Sequence, residues 1–170
     1  MIMLSISLPE VRSEEEVPQG YRSIAAERGI PYAIFYALAL TESGKKIPDV
    51  KSFRPWPWTL NVEGRGYFFE SRLAAWQTLK GLLDNGNRSI DIGLMQVNWR
   101  YHSKRLISAW QALDPHHNLR VGAEILQDCF LAERDWWVGV GCYHSPNNSE
   151  RAAQYRRRVL SRWQRLVKTG

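Results

Sequence analysis

The sequence has no long hydrophobic run, and this absence excludes a membrane-spanning helix. Such a helix needs about 20 consecutive apolar residues, whereas the longest apolar run extends only from Ala33 to Leu40. The first residues, MIMLSISLPEV, are apolar but lack the basic segment and the A-x-A cleavage site of a signal peptide. We therefore expect no membrane span, and either a signal that has been removed or an export route that this sequence does not encode.

Cysteine is also scarce, with only 2 residues in the chain. Two cysteines and scattered histidines do not match the spacing of a zinc site. Cys129 and Cys142 are close enough in the sequence to be joined if the helix carrying Cys129 turns back near Arg134 and Asp135. In an exported protein the pair can be a disulfide, and the alternative is two small buried apolar side chains. Both interpretations stay open at this point.

Repeats, heptads and low-complexity linkers are absent from the 170 residues, of which 44% are hydrophobic and 24% charged. This composition excludes a disordered chain and predicts one domain over 1–170, with a core at about 20–167 and an N-terminal extension at 1–17. The net charge is +6. A basic excess favours a polyanionic partner such as nucleic acid, an anionic membrane surface or acidic cell wall. Much of it lies in Arg151, Arg156, Arg157, Arg158, Arg162, Arg165 and Lys168.

Apolar periodicity predicts a mainly α-helical fold. One helix is expected from Gly20 to Arg28, ended by Gly29, and a second begins at Pro31, is apolar almost all round and ends near Ser43. Aromatic and β-branched residues around a glycine turn predict one β-hairpin, 58–62 with 66–69. The remaining chain is predicted to be helical, at 70–83, 101–113, 118–133, 136–143 and 150–167.

Glu42 is the strongest catalytic candidate, because it lies on the last turn of the predicted buried helix. Burial disfavours the ionised carboxylate, raises its pKa and makes the group a proton donor near neutral pH. The alternative is an ordinary solvated glutamate at a helix end.

Two further segments carry polar groups that suit a sugar ligand. Gly93 to Trp99 is apolar except for the amides of Gln96 and Asn98, which could bind hydroxyl and acetamido groups in a cleft. The alternative is a loop that enters a helix. The segment 141–148 offers Tyr143 and His144, but no G-x-S-x-G elbow accompanies the imidazole, so hydrogen bonding or capping is favoured over a base.

Taken in order, these segments resemble the catalytic domain of soluble lytic transglycosylases over about 20–167. The resemblance is carried by Thr41-Glu42-Ser43, Gly93-Leu94-Met95-Gln96, the run 118–122 leading to Tyr143, and Tyr155 with Val159. The insert 54–62 and the run 89–99 resemble more particularly the small transglycosylases attached to conjugation, type III and type IV secretion and pilus systems.

The resemblance implies a goose-lysozyme-like α-helical fold and cleavage of the β-1,4 bond between N-acetylmuramic acid and N-acetylglucosamine in peptidoglycan. Glu42 takes the catalytic position, first as acid and then as base, and the product is a 1,6-anhydro sugar. No cofactor or metal is implied. The expected protein is a monomer, periplasmic or exported, that acts on glycan strands and serves a secretion, conjugation or pilus machine.

The same resemblance suggests substrate-binding residues. Ser43, Gln96 and the backbone around Met95 would contact muramoyl substituents, while Tyr143 and Tyr155 would orient Glu42. The remaining predicted contacts are Asn98, His144 and Trp58. His144 stands where the family usually has asparagine. Trp58 and Trp56 could form a wall on which a sugar stacks, and the alternative for both is packing in the core or the hairpin.

Two other functions remain open. In a goose-type lysozyme-like hydrolase, Asp91 would position the attacking water, although Asp91 could equally cap the next turn. In a non-catalytic module, the basic C-terminal helix would bind cell wall or nucleic acid. Nucleic acid is not favoured, because the arginine cluster lacks a recognition motif and Arg156, Arg157 and Arg158 point in three directions around a helix.

Overall fold

The computed structural model describes residues 17–48 and 52–168, and within these ranges the fold is mainly helical. The helices are α1 (Gln19–Glu27), α2 (Tyr32–Ser43), α3 (Arg72–Asp84), α4 (Trp99–Leu106), α5 (Ala109–Ala112), α6 (Pro115–Glu133), α7 (Trp136–His144) and α8 (Ser149–Lys168). No helix in the described ranges is both long and apolar enough to cross a membrane. The predicted N-terminal extension lies, apart from Val17, outside the described residues.

The β structure is more extensive than the single hairpin predicted. Strands β3 (Thr59–Val62) and β4 (Arg65–Phe68) form that hairpin, and β5 (Ile90–Ile92) and β6 (Val97–Asn98) extend it into a sheet of order β4-β3-β5-β6. A second antiparallel pair joins β1 (Gly44–Ile47) to β2 (Ser52–Pro55). Strands of two to four residues are too short to show the alternation by which strands are predicted.

Helix α2 is the central element, as its apolar sequence predicts. Pro31 occupies its N-cap position, where the missing N–H removes no helical bond. The side chains of Phe35, Leu38 and Ala39 are fully buried, and burying each of the two larger ones contributes about 2 kcal/mol. The helix packs against α1 and α8, and its last turn carries Glu42 to the edge of the core.

Helices α6, α7 and α8 pack in succession, and side-chain caps define where the first two begin. The carboxylate of Asp114 accepts a hydrogen bond from the backbone N–H of His117, 2.9 Å, and that of Asp135 accepts one from Val138, 2.9 Å. Arg134, with φ 58°, forms the left-handed turn between α6 and α7. Cys129 of α6 and Cys142 of α7 are joined in a disulfide.

The helix predicted from Tyr101 to Leu113 is divided into α4 and α5. Ile107 adopts φ 67°, outside the helical region, and the hydroxyl of Ser108 accepts a hydrogen bond from the N–H of Gln111 to begin α5. Apolar periodicity continued across this break, so the sequence pattern alone predicted one helix.

Candidate active site

A groove of about 840 Å³, the Glu42 cleft, brings together segments that are far apart in the sequence. Its wall is formed by the end of α2, the four-stranded sheet, and residues of α4, α6, α7 and α8. The predicted site residues that line it are Glu42, Asp91, Gln96, Asn98, Tyr143, His144 and Tyr155. Within residues 17–48 and 52–168, no group of three or more His, Cys, Asp or Glu side chains could hold a metal ion.

Glu42 is half-buried and is directly hydrogen-bonded at its carboxylate. The phenol of Tyr155, which is only 2% exposed, donates a hydrogen bond to Oε1 of Glu42. The pKa of Glu42 is raised to about 7, mainly because burial disfavours the ionised carboxylate. The Tyr155 hydrogen bond and the charge of Arg158 lower this pKa, whereas the charge of Asp91 raises it. The carboxyl group is therefore able both to donate and to accept a proton near neutral pH.

Tyr155 is held in place by two residues that contact its ring. The imidazole of His144 stacks on it with the ring centroids 4.3 Å apart and the planes 7° from parallel, and the guanidinium carbon of Arg158 lies 5.2 Å from its centroid. Burial and then the charge of Glu42 raise the pKa of Tyr155, so the phenol stays a donor. Burial, followed by the charges of Arg158 and Arg151, lowers the pKa of His144, which favours neutral imidazole.

Tyr143 also lines the cleft and binds the 93–96 loop. Its phenol donates a hydrogen bond to the backbone carbonyl of Met95, 2.6 Å. Burial raises its pKa, and the charges of Glu42 and Asp91 add to the effect. Tyr143 was predicted to orient Glu42 and keep its surroundings dry, and this stays a prediction; the hydrogen bond that its hydroxyl makes is to the 93–96 loop.

Replacing Tyr155 by phenylalanine is expected to raise the pKa of Glu42, because the lost hydrogen bond stabilises the ionised carboxylate. The midpoint can be followed by NMR titration of the Glu42 carboxyl carbon. Tyr143→Phe is the matched control, since the Tyr143 hydroxyl binds Met95 and not Glu42. An unchanged or lower pKa in Tyr155→Phe would show that this hydrogen bond does not set the protonation of Glu42.

The 93–96 loop is held by a residue for which the sequence predicted no role. Asn118, 1% exposed, accepts a hydrogen bond from the N–H of Met95, 2.9 Å, and donates to the carbonyls of Ile92, 2.9 Å, and Ala112, 3.0 Å. Gly93 has φ +79°, and a Cβ there would lie 2.5 Å from the Asn118 amide. The signal that could have identified Asn118 is an amide among the apolar residues of α6.

Ser43, Met95 and Trp58 are not among the residues that line the cleft, and their role as substrate contacts stays a prediction. Ser43 is 1% exposed and donates a hydrogen bond to the carbonyl of Leu94, 2.7 Å. Met95 is fully buried, and its backbone N–H and carbonyl already have protein partners. Trp58 packs edge-on against Trp56, with the ring centroids 5.7 Å apart. Ser43 and Met95 lie behind the wall of the cleft and support the 93–96 loop.

Three polar side chains from the four-stranded sheet and the loop beside it, Asp91, Asn98 and Gln96, line the cleft. The amide of Asn98 donates to Oδ1 of Asp91, 2.7 Å, and its oxygen caps α4 by accepting from Arg100, 3.0 Å. The pKa of Asp91 is raised, because the effect of burial is larger than that of the Asn98 hydrogen bond, which lowers it. The amide nitrogen of Gln96 donates to the carbonyl of Gly93, 2.9 Å, so its oxygen is the atom that suits a substrate hydroxyl.

A helical domain with one protonatable carboxylate at the end of its central helix, beside a groove lined by amides, is typical of lysozyme-like enzymes. The chain matches the Transglycosylase SLT domain over residues 21–165 and belongs to this family. An SLT domain has a lysozyme-like fold, binds peptidoglycan and implies lytic transglycosylase activity, so the predicted fold class is confirmed. No curated protein and no solved structure was found to match the chain.

Proposed function

We propose that this protein cleaves the β-1,4 bond between N-acetylmuramic acid and N-acetylglucosamine in peptidoglycan, with Glu42 as its acid and base and a 1,6-anhydro sugar as product. The observation that carries the proposal is the state of Glu42, whose pKa is raised by burial to about 7 and whose carboxylate is bound by Tyr155. General acid–base catalysis is most effective when the pKa of the group lies near the working pH.

The reaction needs Glu42 in both of its protonation states. Protonated Glu42 first gives its proton to the glycosidic oxygen as the bond from this oxygen to muramoyl C1 breaks. The resulting carboxylate then takes the proton of the muramoyl C6 hydroxyl, whose oxygen forms the new bond to C1. The proton on Glu42 is thereby restored and no water is consumed. The acetamido group of the substrate stabilises the oxocarbenium-like centre, so no second carboxylate is needed.

The environment of Glu42 supports both steps. Burial stabilises the neutral acid that the first step requires, while the Tyr155 hydrogen bond and the charge of Arg158 stabilise the carboxylate that the second step requires. The oxygen of Gln96 and the amide of Asn98 lie in the same cleft and suit the hydroxyl and acetamido groups of a sugar.

The products of digestion test this proposal directly. Purified peptidoglycan sacculi are incubated with the protein, and the soluble fragments are identified by mass spectrometry. Muropeptides that end in 1,6-anhydro-N-acetylmuramic acid are the expected result. Fragments with reducing muramoyl ends, which carry the mass of one added water, would exclude transglycosylation.

Hydrolysis by water is the second candidate, and the position of Asp91 favours it. Asp91 lines the same cleft and is close enough to raise the pKa of Glu42. In a hydrolase, Asp91→Asn is expected to remove the reducing products. In a transglycosylase the same variant should keep the 1,6-anhydro product, and the pKa of Glu42 should fall because a nearby negative charge has been lost.

We further propose that the protein acts outside the cytoplasm, in the periplasm or after export, and remodels the wall locally around a secretion, conjugation or pilus machine. The Cys129–Cys142 disulfide supports the first part, because disulfides persist mainly in oxidising compartments. The resemblance of segments 54–62 and 89–99 supports the second. Fractionation of cells, with alkylation of free thiols before lysis, tests the compartment: a cytoplasmic protein with two reactive thiols would contradict it.

A further inference from the structure

A second groove, of about 860 Å³, lies beside the Glu42 cleft and is lined mainly by arginine. Its described lining residues include no acidic side chain and are Thr41, His144, Arg151, Gln154, Arg157, Arg158, Ser161, Arg162 and Arg165. We call it the arginine groove. Thr41, His144, Arg151 and Arg158 also line the Glu42 cleft, so the two grooves meet beside the catalytic candidate.

Within the described residues, two arginines of the arginine groove, Arg157 and Arg162, form no ion pair with a carboxylate. Some arginines outside the groove do form ion pairs: Arg28 is bound to Glu124 at 2.6 Å and Arg105 to Asp128 at 2.8 Å. A groove lined by five arginines and no described acidic side chain is suited to an anionic ligand.

Two arginines of the groove, Arg158 and Arg162, lie against aromatic rings. The guanidinium carbon of Arg162 lies 4.6 Å from the ring centroid of Phe53, and that of Arg158 lies 5.2 Å from the centroid of Tyr155. Stacking on a ring fixes a guanidinium group while leaving its N–H donors available in the plane. Burial lowers the pKa of Arg162, and the like charges of Arg165 and Arg158 lower it further. A bound anion would relieve this repulsion.

We propose that the arginine groove binds the carboxylates of the peptides attached to muramoyl residues, so that the protein prefers peptide-bearing glycan to bare glycan. This inference rests on the proposed function, because it takes peptidoglycan as the ligand. A glycan strand bound in the Glu42 cleft would carry its peptide on a muramoyl side group, as a branch from the strand. The arginine groove opens from the cleft at Thr41, next to Glu42 in the chain.

The chemistry of the lining fits a peptide better than a plain polyanion. Guanidinium groups bind carboxylates through two parallel hydrogen bonds, and the neutral side chains of Thr41, Gln154 and Ser161 can bind peptide amides. Because the arginine groove adjoins the Glu42 cleft, a substrate bound in the cleft could reach these side chains with its peptide. Duplex nucleic acid and an anionic lipid surface are the competing ligands.

The test measures binding of two ligands that differ only in the peptide. Calorimetry is used to titrate the full chain carrying Glu42→Gln with a disaccharide–peptide from peptidoglycan and with the same disaccharide after an amidase has removed the peptide. The disaccharide–peptide is expected to bind about tenfold more tightly. Arg157→Gln with Arg162→Gln should abolish the difference, since each charge contact at the protein surface is worth up to about fivefold. Binding of the peptide-free disaccharide should not change.

A matched control removes the same charge from the same helix outside the groove. Arg156 and Lys168 lie on α8 and do not line the arginine groove, so Arg156→Gln with Lys168→Gln should keep the preference for the peptide. If the first double variant does not fold, Arg157→Glu alone replaces it. Arg157 is exposed, so reversal of its charge should weaken binding of the disaccharide–peptide without loss of the fold.

Two results would overturn the inference. One is equal affinity for the two disaccharides. The other is a variant with Arg157→Gln and Arg162→Gln that binds the disaccharide–peptide as tightly as before but binds duplex DNA or phosphatidylglycerol vesicles more weakly. That result would assign the groove to another polyanion. These titrations need no turnover. Failure of the proposed function appears separately, as the absence of 1,6-anhydro products from sacculi digested by the protein with Glu42 intact.

Discussion

Glu42→Gln is expected to lower the turnover of peptidoglycan by roughly 10³-fold, the largest effect on activity that we predict. The amide of glutamine can neither protonate the glycosidic oxygen nor accept the proton of the C6 hydroxyl. It keeps nearly the same shape and can still accept the hydrogen bond from Tyr155. The release of soluble fragments from sacculi over time measures the effect.

Loss of the fold would not explain this loss of turnover. The pKa of Glu42 is higher in the folded protein, about 7, than its ordinary 4.5, so ionisation costs more in the folded state. As the pH rises from 4.5 to 7, this difference lowers the free energy of unfolding, and the loss is complete above pH 7. At pH 8, Glu42→Gln should therefore unfold at a temperature at least as high as the native protein.

A surface glutamate provides the control for this variant. Glu27 is exposed and forms an ion pair with Arg120, 3.3 Å, on the surface, so Glu27→Gln should keep full turnover. Glu42→Gln should still sediment with sacculi. Substantial turnover by Glu42→Gln would contradict the role of Glu42. Binding to sacculi without turnover by the native protein would identify a non-catalytic module.

Asn118→Leu is expected to lower the free energy of unfolding by about 3 kcal/mol or more, the largest effect on stability that we predict. The change leaves the N–H of Met95 and the carbonyls of Ile92 and Ala112 buried without their partner, and each lost bond costs about 1 kcal/mol or more. Urea unfolding followed by circular dichroism measures the loss. Because Asn118 holds the 93–96 loop, turnover should also fall under conditions where the variant is folded.

Asn85 provides the comparison for Asn118. Its amide donates one exposed hydrogen bond to the carbonyl of Gly81, 2.9 Å, so Asn85→Ala should change the free energy of unfolding by about 0.5 kcal/mol or less. Similar losses in the two variants would mean that the buried bonds of Asn118 are not what stabilises the loop.

Much of the helical fold could be predicted from the sequence, because helices that bury one face repeat their apolar residues with the helical period. The predictions for α1, α2, α6, α7 and α8 agree with the structure to within a few residues. The elements that the sequence did not predict correctly have local causes. Strands β5 and β6 are too short for a visible alternation, and Ile107 breaks a helix although its side chain continues the apolar pattern.

The candidate site was predicted less completely, because burial of single side chains depends on distant parts of the chain. Glu42 was identified from its place on an apolar helix, and the raised pKa follows from that burial. Ser43 and Met95 were predicted to touch the substrate but are covered by neighbouring segments. Asn118 was missed because its three partners lie on other segments.

By itself the sequence determined the helical periodicity, the apolar helix that carries Glu42 and the order of the motifs, since each depends on residues close together in the chain. The tertiary structure decided which side chains meet. The bond from Tyr155 to Glu42 spans 113 residues, and the two cysteines form one disulfide. Arg157 and Arg158 share a groove that Arg156 does not line. Such pairings depend on how helices pack, and a pattern along one chain does not specify that geometry.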